Sequence, residues 1–290
     1  MQVFDSIPEM RAFLEEHRRA GKRIGLVPTM GALHDGHLSL VRASVAECDV
    51  TVVSIFVNPL QFEPHEDLER YPRDLEGDAR LLEPIGASAI FTAAVDAMYP
   101  EGYRTYVVQD GLYEPLCGGS RPGHFRGVAT VVSKLFHIIW PHAAFFGQKD
   151  AQQCIVLKRM IDDLDFPIEM RVVPTSRETD GLAMSSRNLY LNEKRRAEAP
   201  SLYRALTRAR EMFDAGERST AKLLAGMDEV FAAVPDVEVD YREIVDLKSL
   251  QRIDVIEDRA LAAVAAQLGP SRLIDNLVLG GNDLPNGGLW

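Results

Sequence analysis

At 290 residues the chain is long enough for one large or two modest domains with a real core, and its 46% hydrophobic and 26% charged residues are ordinary for a globular protein. A net charge of −11 argues against nucleic acid as a main partner, because a phosphate-backbone binder needs a basic surface. The longest apolar runs, such as residues 50–57, are far too short to span a bilayer.

The first residues carry Asp5, Glu9, Glu15 and Glu16 and no apolar run, which does not read as a secretory signal. Cys48, Cys117 and Cys154 are odd in number and form no Cys-x-x-Cys, so the expected setting is reducing and cytoplasmic. Residues 23–27 form a short apolar run that reads as a buried strand closed by Pro28. After it come Thr29, Met30, Gly31 and then His34-Asp35-Gly36-His37, from which Leu38, Val41, Val45 and Cys48 fall at helical spacing. A helix N-terminus presents unpaired N–H groups and a positive dipole end, so two imidazoles there suit phosphate oxygens. Gly31 and Gly36 allow close backbone approach to a ligand. His-x-x-His also reads as half of a metal site or as unremarkable surface, although neither a Cys pair nor a His-Glu-x-x-His pattern accompanies it.

Residues 50–57 predict a second strand, ending at Asn58-Pro59-Leu60-Gln61. Asn58 and Gln61 suit the hydroxyl or carbonyl groups of a small polar substrate, or Asn58 merely caps a turn. Helical patterns follow at 74–85, 127–139 and 150–163, and strand-like runs at 88–92, 143–147 and 170–174. Such alternation predicts an α/β fold: a parallel sheet with helices on both faces and the ligand beyond the carboxyl ends of the strands. Arg121-Pro122-Gly123-His124 opens one helix and Gly147-Gln148-Lys149-Asp150 another. Both openings suit anions, with Lys149 a compact cation and Asp150 an acid favoured by the helix dipole.

Beyond residue 175 the texture changes. Residues 192–232 read as two helices broken near Gly216, and 237–246 and 271–279 as strands; 260–268 is ambiguous between helix and strand. The division expected is a domain of residues 1–175 and a smaller α+β domain of residues 176–290. Near that junction stands Met184-Ser185-Ser186-Arg187, two hydroxyls and a guanidinium that offer forked donors to a triphosphate, in a composition also common in plain loops. His34–His37 and this segment, in this order, suggest an enzyme that attacks the α-phosphate of ATP.

Taken together, residues 28–37, 56–62, 71–73, 121–128, 146–150, 181–188 and 271–276 resemble, in order, the motifs of the pantothenate synthetase (pantoate–β-alanine ligase) family, over nearly the whole chain. The resemblance implies a Rossmann-like domain of the nucleotidylyltransferase superfamily with a parallel sheet, a smaller α+β C-terminal lid domain and a homodimer. It implies that ATP and (R)-pantoate give pantoyl adenylate and pyrophosphate, after which β-alanine displaces AMP to yield pantothenate. By motif match it places Thr29, Met30, His34, Gly36, His37, Gly147, Lys149, Asp150, Met184, Ser185, Ser186 and Arg187 at ATP. Asn58, Gln61 and Gln153 fall at pantoate, and Asp78 at Mg²⁺. Gly77, Cys117, Gln148 and Ala151 depart from residues frequent in the family. A tRNA synthetase fragment lacks support in this acidic chain without an anticodon-binding module. A cytidylyltransferase has no evident use for Asn58 and Gln61. A non-catalytic sensor would be expected to lack Lys149 or Arg187.

Overall fold

The computed structural model describes residues 1–63, 68–234, 236–280 and 288–290. They divide into two compact units. Unit 1 holds Met1–Tyr113, Gly118–Phe146 and Val156–Val173; unit 2 holds Glu114–Cys117, Gly147–Ile155 and Pro174–Trp290.

In chain order the first part runs β1 (Gln2–Phe4), α1 (Ile7–Arg19), β2 (Ile24–Thr29), α2 (Asp35–Glu47), β3 (Val50–Ile55), α3 (Leu75–Leu82), β4 (Ala89–Phe91), α4 (Val95–Met98), α5 (Cys117–Ser120), α6 (His124–Ile139), β5 (Ala143–Gly147), α7 (Ala151–Asp163) and β6 (Glu169–Val173). The sheet order is β1-β4-β3-β2-β5-β6. The β2–β3, β2–β5, β3–β4 and β1–β4 pairs are all parallel. From β2 the chain builds outward through β3 and β4, then resumes on the other side of β2 with β5 and β6. The order therefore reverses between β2 and β5, the topological switch point at which such sheets take their ligands.

The expected α/β class holds, with three differences. Pro28 does not close β2, which runs on to Thr29 and pairs Pro28 with Ser54. The Ile24 carbonyl accepts from His142 on the β5 side, so by alternation Pro28 faces that side too; pairing there reaches only Leu26, and no ladder bond needs the missing N–H. The edge strand β1 and helix α1 were not among the expected elements. The 74–85 helix is α3 followed by a single 3₁₀ turn at Glu83–Ile85. Leu38, Val41, Val53, Leu82, Ile90 and Phe145 are among the residues of a buried cluster in unit 1.

Unit 2 continues with α8 (Glu193–Glu198), α9 (Ser201–Asp214), α10 (Thr220–Phe231), β7 (Glu238–Val245), β8 (Ala260–Leu268) and β9 (Ser271–Leu279). Strands pair antiparallel in the order β7-β8-β9. The ambiguous 260–268 segment is thus a strand: it is the central one, buried on both faces, where small Ala side chains admit close packing. The expected helix break at Gly216, with φ +101°, separates α9 from α10, and short α8 precedes them. Leu202, Leu206, Phe213, Leu223, Met227, Val264 and Leu277 belong to this unit's own core.

Candidate active site

In unit 1 the loop after β2 is held in an unusual shape. Gly31 has φ +83° and Ala32 φ +51°, two successive left-handed residues. Such a turn aims consecutive N–H groups into one concavity that attracts an anion. Here the anion is the chain's own: Asp78 accepts from Ala32 N (3.1 Å) and Leu33 N (2.8 Å). A Cβ on Gly31 would come within 3.0 Å of Asp78 Oδ2 and of Ile55, so the approach requires glycine. Asp78 is 3% exposed, and burial pushes its carboxyl above the ordinary range while the two backbone donors oppose that.

The loop delivers His34 as the N-cap of α2. Its Nδ1 accepts from Gly36 N (3.1 Å), and His37 Nδ1 accepts from His34 N (3.4 Å), a reciprocal cap built from two imidazoles. The ring centroids are 4.1 Å apart. With Nδ1 accepting, the neutral form of each ring carries its proton on Nε2, where it is a donor. Thr29 donates to Ser54 O (2.8 Å), and its hydroxyl accepts from Gly31 N (3.2 Å).

Asn58 and Gln61 form a second group. Asn58 is 1% exposed and uses its whole amide: Oδ1 accepts from Tyr99 OH (2.8 Å) and Leu60 N (3.3 Å), and Nδ2 donates to Gln61 Oε1 (3.0 Å) and Gly127 O (3.1 Å). Gln61 Oε1 is thereby fixed, and Nε2 lies 3.1 Å from Met30 Sδ. Burial drives the Tyr99 phenol well above its usual range, which keeps it a donor. Gly127 makes room: a Cβ there would sit 2.3 Å from Leu60 O. The Arg121–His124 opening of α6 serves this group rather than standing only as an anion site. His124 Nδ1 donates to Gln61 O (2.8 Å), while its Nε2 accepts from Arg121 Nη1 (3.1 Å).

Unit 2 carries the other expected residues. Gly147 caps the turn Gln148–Asp150, Lys149 Nζ lies 3.9 Å from Asp150 Oδ1, and half-buried Gln153 follows on α7. Met184 N donates to Ser176 O (2.9 Å). Ser185 caps a 3₁₀ turn, Ser186–Tyr190, by accepting from Arg187 N (3.3 Å). The approach to that turn is a short antiparallel bridge, Arg177 to Ala183, around Gly181 at φ +93°. A Cβ on Gly181 would be 2.3 Å from the Tyr203 ring.

Among the described residues no group of three or more His, Cys, Asp or Glu could hold a metal ion. A hard cation that arrives on phosphate oxygens needs few protein ligands, and Asp78 beside this loop keeps a second lone pair on each carboxylate oxygen. Tyr99, Arg177, Ser271 and Asn276 were not singled out by sequence reasoning as site residues. Tyr99 is 41 positions from Asn58 and Ser271 84 from Arg187, separations with no periodic signal.

Comparison with known proteins agrees along the whole length. The profile of the family described as Pantoate-beta-alanine ligase matches residues 2–278. A pantothenate synthetase of Pelotomaculum thermopropionicum is 54% identical over 280 residues, which are 97% of this chain and 99% of that protein. One from Thermotoga neapolitana is 52% identical, covering 97% and 100%. The crystal structure of pantothenate synthetase from Thermus thermophilus superposes with a TM-score of 0.91 at 47% identity, covering 96% and 99%. A pantoate-beta-alanine ligase from Francisella tularensis, complexed with beta-gamma ATP and beta-alanine, gives 0.79 at 31% identity, covering 96% and 97%.

Proposed function

The chain belongs to the pantoate–β-alanine ligase family, and from that premise we propose how its residues divide the work of the reaction. The protein is an AMP-forming acid–amino-acid ligase: it condenses (R)-pantoate with β-alanine at the expense of ATP, through pantoyl adenylate, giving pantothenate, AMP and pyrophosphate. The observation that carries this assignment is the end-to-end match to the family.

No nucleophilic side chain is required. The carboxylate of pantoate attacks the α-phosphorus and pyrophosphate leaves. The amine of β-alanine then attacks the acyl carbon, loses a proton, and AMP leaves with the bonding electrons. Holding the first pair of reactants in line can supply about 7–11 kcal/mol of the barrier. We assign Gln61, Gln153 and Asn58 to pantoate, with Asn58 acting largely by fixing the amide of Gln61. His34 and His37 are assigned to the phosphate oxygens through Nε2–H, and Lys149 and Arg187 to the charge that moves onto pyrophosphate. Thr29, Met30, Gly36, Gly147, Asp150, Met184, Ser185 and Ser186 are assigned to the rest of ATP. Mg²⁺ would neutralise phosphate charge, with Asp78 the carboxylate this chain contributes.

The same reading gives residues 1–175 to ATP and pantoate and 176–290 to the smaller domain. It also makes the protein a cytoplasmic homodimer acting on small molecules, with neither nucleic acid nor membrane as partner. Three buried cysteines, none of them in a disulfide, support a reducing compartment. Among the described residues no helix is long and apolar enough to cross a membrane. The homodimer is carried over from the family and is tested by light scattering on the eluting protein. The reaction is tested by pyrophosphate exchange into ATP, expected only when pantoate is present. Exchange without pantoate, or none with it, overturns the assignment.

A further inference from the structure

Ser271-Arg272-Leu273-Ile274-Asp275-Asn276 has no part in the reaction as divided above, yet its side chains meet the two segments that carry the cations. It forms the first two-thirds of β9, the edge strand of the three-stranded sheet. Ser271 Oγ donates to the Arg187 carbonyl (3.1 Å). Five residues on, Asn276 Nδ2 donates to the carbonyls of both Gln148 (3.0 Å) and Lys149 (2.9 Å). Ser271 is 1% and Asn276 4% exposed, so these bonds form away from water, where leaving them unmade is costly.

Between them Asp275 locks the strip to the hairpin before Ser185. It accepts from Arg177 at 2.6 and 2.9 Å, a bidentate pair, and from Asn276 N at 2.8 Å. Arg177 also donates to Gly181 O (3.0 Å) and stacks 3.9 Å from the Tyr203 ring centre. Side-chain bonds thus hold the Gln148–Lys149, Arg177–Gly181 and Arg187 segments to one rigid strand.

We propose that Ser271, Asp275 and Asn276 are positioning residues that hold Lys149 and Arg187 at a fixed spacing for the phosphates of ATP. The proposal rests on the assignment of those two cations to phosphate charge. A β-strand is a stiff ruler: five residues span about 17 Å. Long basic side chains keep their own freedom, but their points of attachment do not move. Misplacement of a charged group by about 1 Å can cost on the order of 10²-fold in rate.

The test is a pair of double-mutant cycles on the full chain, read by pantoate-dependent pyrophosphate exchange. Asn276→Leu is compared alone and together with Lys149→Ala, and Ser271→Ala alone and together with Arg187→Ala. Each strip variant is expected to slow exchange by about 10- to 100-fold while the KM for pantoate changes by less than about 2-fold. Each double variant should be no slower than the cation variant in it. Full multiplication of the two effects would mean that the strip only supports the fold, and would overturn the proposal. Normal exchange by Lys149→Ala and Arg187→Ala would instead remove the cation assignment on which it stands. Should Asn276→Leu not fold, the milder Ser271→Ala cycle decides alone.

Discussion

The side chains assigned to ATP and pantoate are held by different means in the two units. In unit 1 the functional side chains themselves are locked: Nδ1 of His34 and of His37 each accept a backbone N–H, and Asn58 has donors and acceptors on every side of its amide. In unit 2 it is the backbone beside the functional residue that is fixed, at the carbonyls of Lys149 and Arg187. The difference follows the chemistry. A neutral donor acts through one atom in one direction, so its ring must not turn. An ammonium or guanidinium acts over a longer range, and needs a fixed root more than a fixed tip.

The largest expected effect removes a donor from each side of this comparison. His37→Ala and Lys149→Ala should fold and lose pantoate-dependent exchange by on the order of 10²–10³-fold. Near-normal single-turnover adenylation by either would remove its assigned role. Next comes the brace of the locked side. Asp78→Ala leaves two backbone N–H groups without their acceptor and should cost about 1.5–3 kcal/mol of stability, read by urea unfolding. Activity should fall with it, because the same loop sets His34; a variant of unchanged stability would show that water replaces the carboxylate.

Tyr99→Phe is gentler. It deletes one hydroxyl, should cost about 0.5–1.5 kcal/mol, and should raise the KM for pantoate while leaving that for ATP alone. Equal changes in both constants would mean that Asn58 does not act through Gln61. The smallest effect lies away from both sites. Arg171 holds the Glu47 carboxyl below its ordinary range, with Arg23 assisting. A lowered pKa stabilises the fold above the unfolded-state value and is lost as pH falls through the folded one. Since the pair is partly exposed, Glu47→Gln should cost well under about 1 kcal/mol at neutral pH and nothing in acid.

Local patterns made much of this legible. β5 and β9 fall on the expected residues, and the helix break at Gly216 follows from a glycine between two amphipathic runs. The 260–268 strand could not be settled locally, because its run of alanines and leucines suits a helix until two flanking strands claim its backbone. The Arg121–His124 cluster shows the limit of composition. Its charge pattern is that of an anion site, and only the folded chain brings the Gln61 carbonyl within 2.8 Å of His124 Nδ1. Asp78 comes to a metal only through the family resemblance, and no local pattern announces that its two oxygens face N–H groups 45 and 46 positions earlier.

The paired imidazole cap ties architecture to acidity. Each ring lends Nδ1 to the backbone as an acceptor, and that loan ends when the nitrogen takes up a proton, because an imidazolium has no acceptor left. A proton on His34 would set its ring against the Gly36 N–H, and one on His37 would set that ring against the N–H of His34. The cap therefore uses each ring with Nδ1 bare, the same form that leaves Nε2–H for a phosphate oxygen. Fold and chemistry at this point ask for the same tautomer.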